Sequence, residues 1–190
     1  MKAKINKKVR KIVVCEGRFI RFVKKGKWEY VERNNCTGIV IIVAMTRDKK
    51  VILVEQYRPP VGKKVIEFPA GLIGDKNDSH KKSGKESLSA AAKRELLEET
   101  GYRAKRIVKL LQGPVSAGAS GDLVTIVQAV DLKKVDRGGG DSLESIVTHA
   151  IPLPKVDAWL NTMRRKGYLI EPKIYTGLYF LTKYNKSSSR

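Results

Sequence analysis

The 190-residue sequence predicts an α/β protein of the α+β kind, a mixed sheet sandwiched between helices and preceded by a small antiparallel sheet. Three observations carry that expectation: strand-like stretches come first, one strongly helical stretch interrupts them, and further helices close the chain. The length suits one core with room for a small extra sheet, not two full domains. Residues 1–38 are expected to form the N-terminal strands, 39–184 the main domain and 185–190 a polar tail.

Each element has its own signal. Residues 10–32 alternate apolar and polar side chains (Ile12, Val14; Phe19, Ile20, Phe22; Trp28, Tyr30) with turn signals at Glu16-Gly17 and Lys25-Gly26, which predicts an antiparallel pair or meander. Ile39 to Ala44 and Val51 to Val54 are β-branched runs separated by Thr46-Arg47-Asp48-Lys49, and read as a buried hairpin. From Ser87 to Thr100 the apolar period lengthens to that of a helix, with Leu88, Ala91, Ala92 and Leu96 on one stripe and Gly101 as a left-handed stop. Ser83 and Glu86 have capping-box spacing at its start. Ile107 to Leu111, Leu123 to Val130 and Ser145 to Ile151 read as strands, with Gly138-Gly139-Gly140 as a flexible loop. Lys155 to Lys166 reads as a helix. A last helix is expected from Pro172, with Ile174, Gly177, Leu178 and Leu181 on one face.

Composition narrows the function classes. A hydrophobic fraction of 42% in short runs broken by charge fits a globular protein, and no run approaches a membrane span. The basic N-terminus is followed by an apolar stretch, Ile12 to Cys15, that ends at Glu16 and is too short for a signal core, so a cytoplasmic location is expected. Cys15 and Cys36 have no metal-binding spacing and are expected to be buried, inert thiols in a reducing compartment. The formal charge of +20 suggests attraction to polyanions, nucleotides included, or a solvated lysine-rich surface. The lysines are scattered without the aromatic interleaving of a single-strand binding face, so nucleic acid is not the expected partner.

The sharpest chemical signal is Arg94-Glu95-Leu96-Leu97-Glu98-Glu99-Thr100-Gly101-Tyr102. Glu95 and Glu99 are four apart and share a helical face, and the C-terminus of that helix already carries partial negative charge. Arg94, four before Glu98, is the obvious local relief. A bound hard cation, Mg²⁺ or Mn²⁺, is the simplest further compensation; a solvated acidic face is the plain alternative.

Together with Glu67-Phe68-Pro69-Ala70-Gly71 and Glu86, this segment resembles the Nudix family, whose box runs glycine, five residues, glutamate, seven residues, then an Arg-Glu-aliphatic-any-Glu-Glu-any-Gly run. Here fourteen residues separate Gly71 from Glu86, so a polar insertion of about nine falls within the loop before the helix, where added length costs little. The resemblance implies a Nudix-type α-β-α sandwich in which Glu95 and Glu99 ligate magnesium. Glu98 ligates or supports it, and the Ala70 carbonyl adds an oxygen. Glu86 and Arg94 would be a structural pair, with Gly71 and Gly101 as the box glycines.

Val54-Glu55-Gln56-Tyr57-Arg58-Pro59-Pro60, followed by the Glu67 to Gly71 segment, is similar to the corresponding pair in ADP-ribose pyrophosphatases. That branch implies hydrolysis of ADP-ribose or another nucleoside diphosphate sugar, and a homodimer whose N-terminal sheet helps build the partner's site. Pro114-Val115-Ser116-Ala117-Gly118 lies where that branch carries Ser-Pro-Gly; Ala117 replaces the proline, which leaves room for other nucleoside diphosphate sugars. Glu171-Pro172-Lys173 stands where relatives carry Asp-x-Lys. Arg58, Glu67, Ser116, Gly118 and Lys173 are therefore the expected substrate contacts. Glu144, with Asp141 second, is the expected base on a glycine-hinged loop, acting with Glu98 and Glu99. His80 and His149 match nothing in the pattern. Two other functions stay open: hydrolysis of RNA caps or dinucleotide polyphosphates, and a non-catalytic basic module of the same fold that binds nucleic acid.

Overall fold

A computed structural model describes residues 9–34, 36–74, 86–140 and 145–187, with the side chains of 184–187 excepted. The first stretch is a three-stranded antiparallel meander of β1 (Lys11–Glu16), β2 (Ile20–Lys25) and β3 (Trp28–Arg33). No helix among the described residues covers it, and Ile12, Val14, Phe19, Ile20 and Trp28 all stay at least 49% exposed. For the same reason the cysteines differ from expectation: Cys15 is exposed on β1 and Cys36 is only partly covered.

The main sheet is built around β4 (Gly38–Met45) and β5 (Lys50–Arg58), two runs of Val and Ile whose side chains are buried on both faces. The expected hairpin between them is real but brief, pairing only Ala44 with Ile52 and Met45 with Val51. Beyond that point the strands splay. β6 (Lys63–Glu67) takes the freed edge of β5, β7 (Ala70–Ile73) takes that of β4, and the Pro69 carbonyl accepts a hydrogen bond from the Ile42 amide at 2.8 Å. The wedge between the two central strands is therefore the segment Glu67 to Gly71.

Helix α1 (Leu88–Thr100) follows, then the long hairpin β8 (Tyr102–Pro114) and β9 (Leu123–Lys134), then β10 (Ile146–Pro152) on the other edge of β5. β9 pairs parallel to β4, which makes the sheet mixed. The chain closes with α2 (Val156–Arg165), the short β11 (Leu169–Ile170) beside β6, and α3 (Lys173–Ser187). Ala91, Ala92 and Leu96 of α1 pack on one face against Val40, Ile42, Ile52 and Val127. Val156 and Leu160 of α2 and Ile174 and Leu181 of α3 pack on the other against Ile41, Leu53, Ile66 and Phe68. The result is a three-layer α-β-α sandwich.

Two local expectations change. The cap of α1 is Ser87, whose hydroxyl accepts from the Ala90 amide at 3.2 Å, in place of a Ser83–Glu86 box. Ser83 lies outside the described residues, and Glu86 is engaged elsewhere. The triple glycine is not a free loop: Gly138, Gly139 and Gly140 all have positive φ, and a Cβ on Gly138 would strike the backbone of Thr100 and Gly101. These glycines allow the chain to press against the end of α1.

His149 and Glu55 form a polar island on the α2 face. Glu55 accepts from Lys64 at 2.7 Å, and His149 Nε2 stands 3.1 Å from its other oxygen. Burial disfavours the Glu55 charge, but the hydrogen bonds from Lys64 and His149 outweigh it and hold the carboxyl below the usual glutamate range.

Candidate active site

The site is assembled where α1 crosses the wedge. Because side chains four apart lie one above the other on a helix, Glu95 and Glu99 both face the β7 strand. Glu99 is only 6% exposed and accepts a hydrogen bond from the Ala70 amide at 3.3 Å. Glu95 lies against Gly71 so closely that a Cβ built there would overlap its carboxyl group. Gly71 is thus a residue without a side chain because the neighbouring helix occupies the space.

Arg94 organises the same turn. Its guanidinium bonds Glu86 at 2.9 Å, Glu95 at 2.7 Å, Glu98 at 2.9 Å and the Leu72 carbonyl at 3.1 Å. Glu86 in turn accepts from the Gly74 amide at 3.0 Å. Burial by itself would lower the Arg94 pKa, but Glu86, Glu95 and Glu98 raise it above its ordinary value, so the group is a permanent cation. Glu86, Arg94 and β7 therefore form one brace. Gly101 closes the helix in the left-handed conformation, its amide bonded to the Leu97 carbonyl at 2.8 Å.

Among the described residues no group of three or more His, Cys, Asp and Glu side chains is gathered as a ready-made metal cage. The donor set nevertheless fits a hard cation: the carboxylates of Glu95 and Glu99 abut adjacent residues of one strand, and Glu98 lies in the same helical turn, 47% exposed at its side chain. Arg94 occupies oxygens of Glu95 and Glu98.

The expected substrate residues fall in two places. Arg58, at the end of β5, bonds Glu67 at 2.8 Å, while Lys173 at the start of α3 pairs with Glu171. Burial lowers the Lys173 pKa, with the nearby Glu67 raising it and Arg58 lowering it further, so Arg58, Glu67 and Lys173 form one charged group near the β6 edge. Ser116 and Gly118 stand apart from it, on the β8–β9 loop that β3 clasps through Val31: its amide bonds the Ala119 carbonyl and its carbonyl accepts from Gly121, each at 2.9 Å. Gly118 helps line a cavity of about 370 Å³ with Lys25, Trp28, Tyr30 and Glu32. That cavity is not legible in the sequence, since a tryptophan in an alternating strand carries no mark of what it lines. Glu144, Asp141, His80 and most of the insertion before Glu86 lie outside the described residues.

Comparison with known proteins agrees with this geometry. Residues 37–138 match the model of the NUDIX domain. An uncharacterized Nudix hydrolase of Schizosaccharomyces pombe is 31% identical over 184 residues, covering 86% of this chain and 84% of that protein. The chain therefore belongs to the Nudix hydrolase family. The ADP-ribose pyrophosphatase of Bacillus subtilis is 33% identical over 52% of this chain and 49% of its own length. The mouse ADP-sugar pyrophosphatase is 37% identical over 48% and 45%. The chain thus spans about half the length of these two pyrophosphatases. In fold, a crystal structure described as an ADP compounds hydrolase superposes with a TM-score of 0.68 over 96% of this chain and 95% of the other, at 22% identity. No helix among the described residues is long and apolar enough to cross a membrane.

Proposed function

We propose that the protein hydrolyses the diphosphate bond of ADP-ribose or a related nucleoside diphosphate sugar, in a magnesium-dependent reaction that yields a nucleoside monophosphate and a sugar phosphate. The observation that carries this reading is the juxtaposition of Glu95 and Glu99, from one face of α1, with the Ala70–Gly71 peptide. The names of the pyrophosphatases to which the chain is similar support the substrate class.

Glu95 and Glu99, with Glu98 and the Ala70 carbonyl, would hold the magnesium. Bound there, the ion would supply Lewis-acid neutralisation of the diphosphate charge. Arg94 fixes the direction of the ligating carboxylates, and Glu86 fixes Arg94. Arg58 and Lys173 offer cationic contacts for phosphate, held in place by Glu67 and Glu171. Trp28, 65% exposed at the cavity beside Gly118, offers a face on which a nucleobase stacks, and Ser116 belongs to the adjoining loop. Glu144 remains the base assigned from its place in the sequence.

The test is a panel of ADP-ribose, other nucleoside diphosphate sugars, dinucleotide polyphosphates and capped RNA, with and without Mg²⁺, with products separated by chromatography. ADP-ribose is expected to give AMP and ribose 5-phosphate only when Mg²⁺ is present. Cleavage confined to capped RNA or dinucleotides would overturn the substrate assignment. Binding of nucleic acid without turnover of any compound would overturn the enzymatic reading.

The exposed apolar side chains of the meander, Ile12, Val14 and Ile20 among them, support a homodimer, because leaving them in water is energetically costly. Sedimentation velocity should show a dimer that persists on dilution to micromolar concentration. A monomer throughout would refute it.

A further inference from the structure

Helix α1 has no basic residue in its last turn, although it carries three glutamates there or one turn before. Its end also bears the negative pole of the helix dipole. Relief comes from later parts of the chain. The amides of Gly140 and Gly139 donate to the carbonyls of Glu98 and Glu99 at 3.1 and 3.0 Å. The Thr148 hydroxyl adds a bond to the Glu99 carbonyl at 3.2 Å.

The last of these donors is a full charge. Lys134, at the end of β9, donates to the Thr100 carbonyl at 2.6 Å and to the Arg137 carbonyl at 3.2 Å, and its ammonium stands 4.8 Å from the centre of the Tyr102 ring. Two carbonyls and an aromatic face thus aim one cation at the helix terminus, and none of these contacts is a carboxylate. Burial lowers the Lys134 pKa, with Asp136 opposing, although the residue as a whole remains exposed.

We propose that Lys134 is a built-in counter-ion for the glutamate turn, a positioning residue that keeps the end of α1 formed and its carboxylates in register before any divalent cation arrives. The idea rests on the reading that this turn binds Mg²⁺. A fixed positive charge at the terminus offsets the dipole and part of the repulsion among Glu95, Glu98 and Glu99. A metal ion at the carboxylates offsets the same field from the other side, so the two compensations are partly interchangeable.

That interchange gives the test. Thermal unfolding of the wild type, Lys134→Met and Lys134→Arg is followed in EDTA and again in saturating Mg²⁺, without substrate. Metal-free Lys134→Met is expected to unfold about 3 °C lower than the wild type. Mg²⁺ should close at least half of that gap, and Lys134→Arg should stay within about 1 °C of the wild type in both conditions. Should the methionine variant not fold, Lys134→Gln, which keeps a donor for the Thr100 carbonyl without the charge, serves the same comparison. If Mg²⁺ raises the wild-type midpoint but leaves the gap unchanged, or if arginine fares as badly as methionine, the counter-ion role is wrong. If Mg²⁺ does not move the wild type at all, the metal reading falls and the proposal falls with it.

Discussion

On the proposed magnesium-dependent reaction, Glu99→Gln is expected to lower turnover by about a thousandfold while leaving the folded structure in place. The two halves of that expectation have separate causes. Glutamine has nearly the shape of glutamate and retains an oxygen to accept the Ala70 amide, so the contact between α1 and β7 survives. What disappears is a negative charge at a buried position, and an amide is a poor ligand for the hard cation proposed to gather charge on a diphosphate. Initial rates at saturating Mg²⁺, measured beside a thermal melt, separate the two. Wild-type rates in a well-folded Glu99→Gln protein would contradict the assignment of Glu99 as a ligand.

Gly71→Ala is expected to be nearly as damaging for a steric reason. The added methyl falls on the Glu95 carboxyl group, and neither side yields easily. Arg94 holds Glu95 from one side and bonds the Leu72 carbonyl next to Gly71 from the other, so strand and helix are pinned together at the point of collision. Overpacking of this kind costs about 1–3 kcal/mol. A displacement of Glu95 by about 1 Å would lower turnover on the order of a hundredfold. Urea unfolding and turnover as a function of Mg²⁺ concentration check both. An alanine variant with unaltered rate would mean that the position of Glu95 is unimportant to the reaction.

The parts of this architecture legible in the sequence were those whose signal is local. The stripe of Leu88, Ala91, Ala92 and Leu96 and the stop at Gly101 foretell α1 within a residue or so, because a helix is specified by its own spacing. The wedge of β6 and β7 was not read as strand, since Pro69, Gly71 and Gly74 resemble a loop; those strands exist because β4 and β5 part and leave edges to be filled. β8 runs from Tyr102, five residues earlier than its apolar core at Ile107 suggests, because an edge strand tolerates Arg103, Lys105 and Arg106 facing water. In the site, Glu95 and Glu99 announce themselves by unfavourable proximity, and the Glu86–Arg94 contact spans only eight residues. Lys134 gives no such sign: among 39 lysines and arginines, only its tertiary position distinguishes it.

The sandwich also separates chemistry from solubility. The family match ends at residue 138, and by then Arg58, Ala70, Glu95, Glu98 and Glu99 have all been laid down. Yet the lining of the opposite face, with Leu53, Ile66 and Phe68, is still bare, and one whole border of β5 waits for Ile146–Pro152. A fragment cut at that boundary would hold most of the proposed site and the α1 layer, with nothing over the second face. Its unpaired border would seek the same border in other molecules, so the smallest useful piece of this enzyme extends through α3.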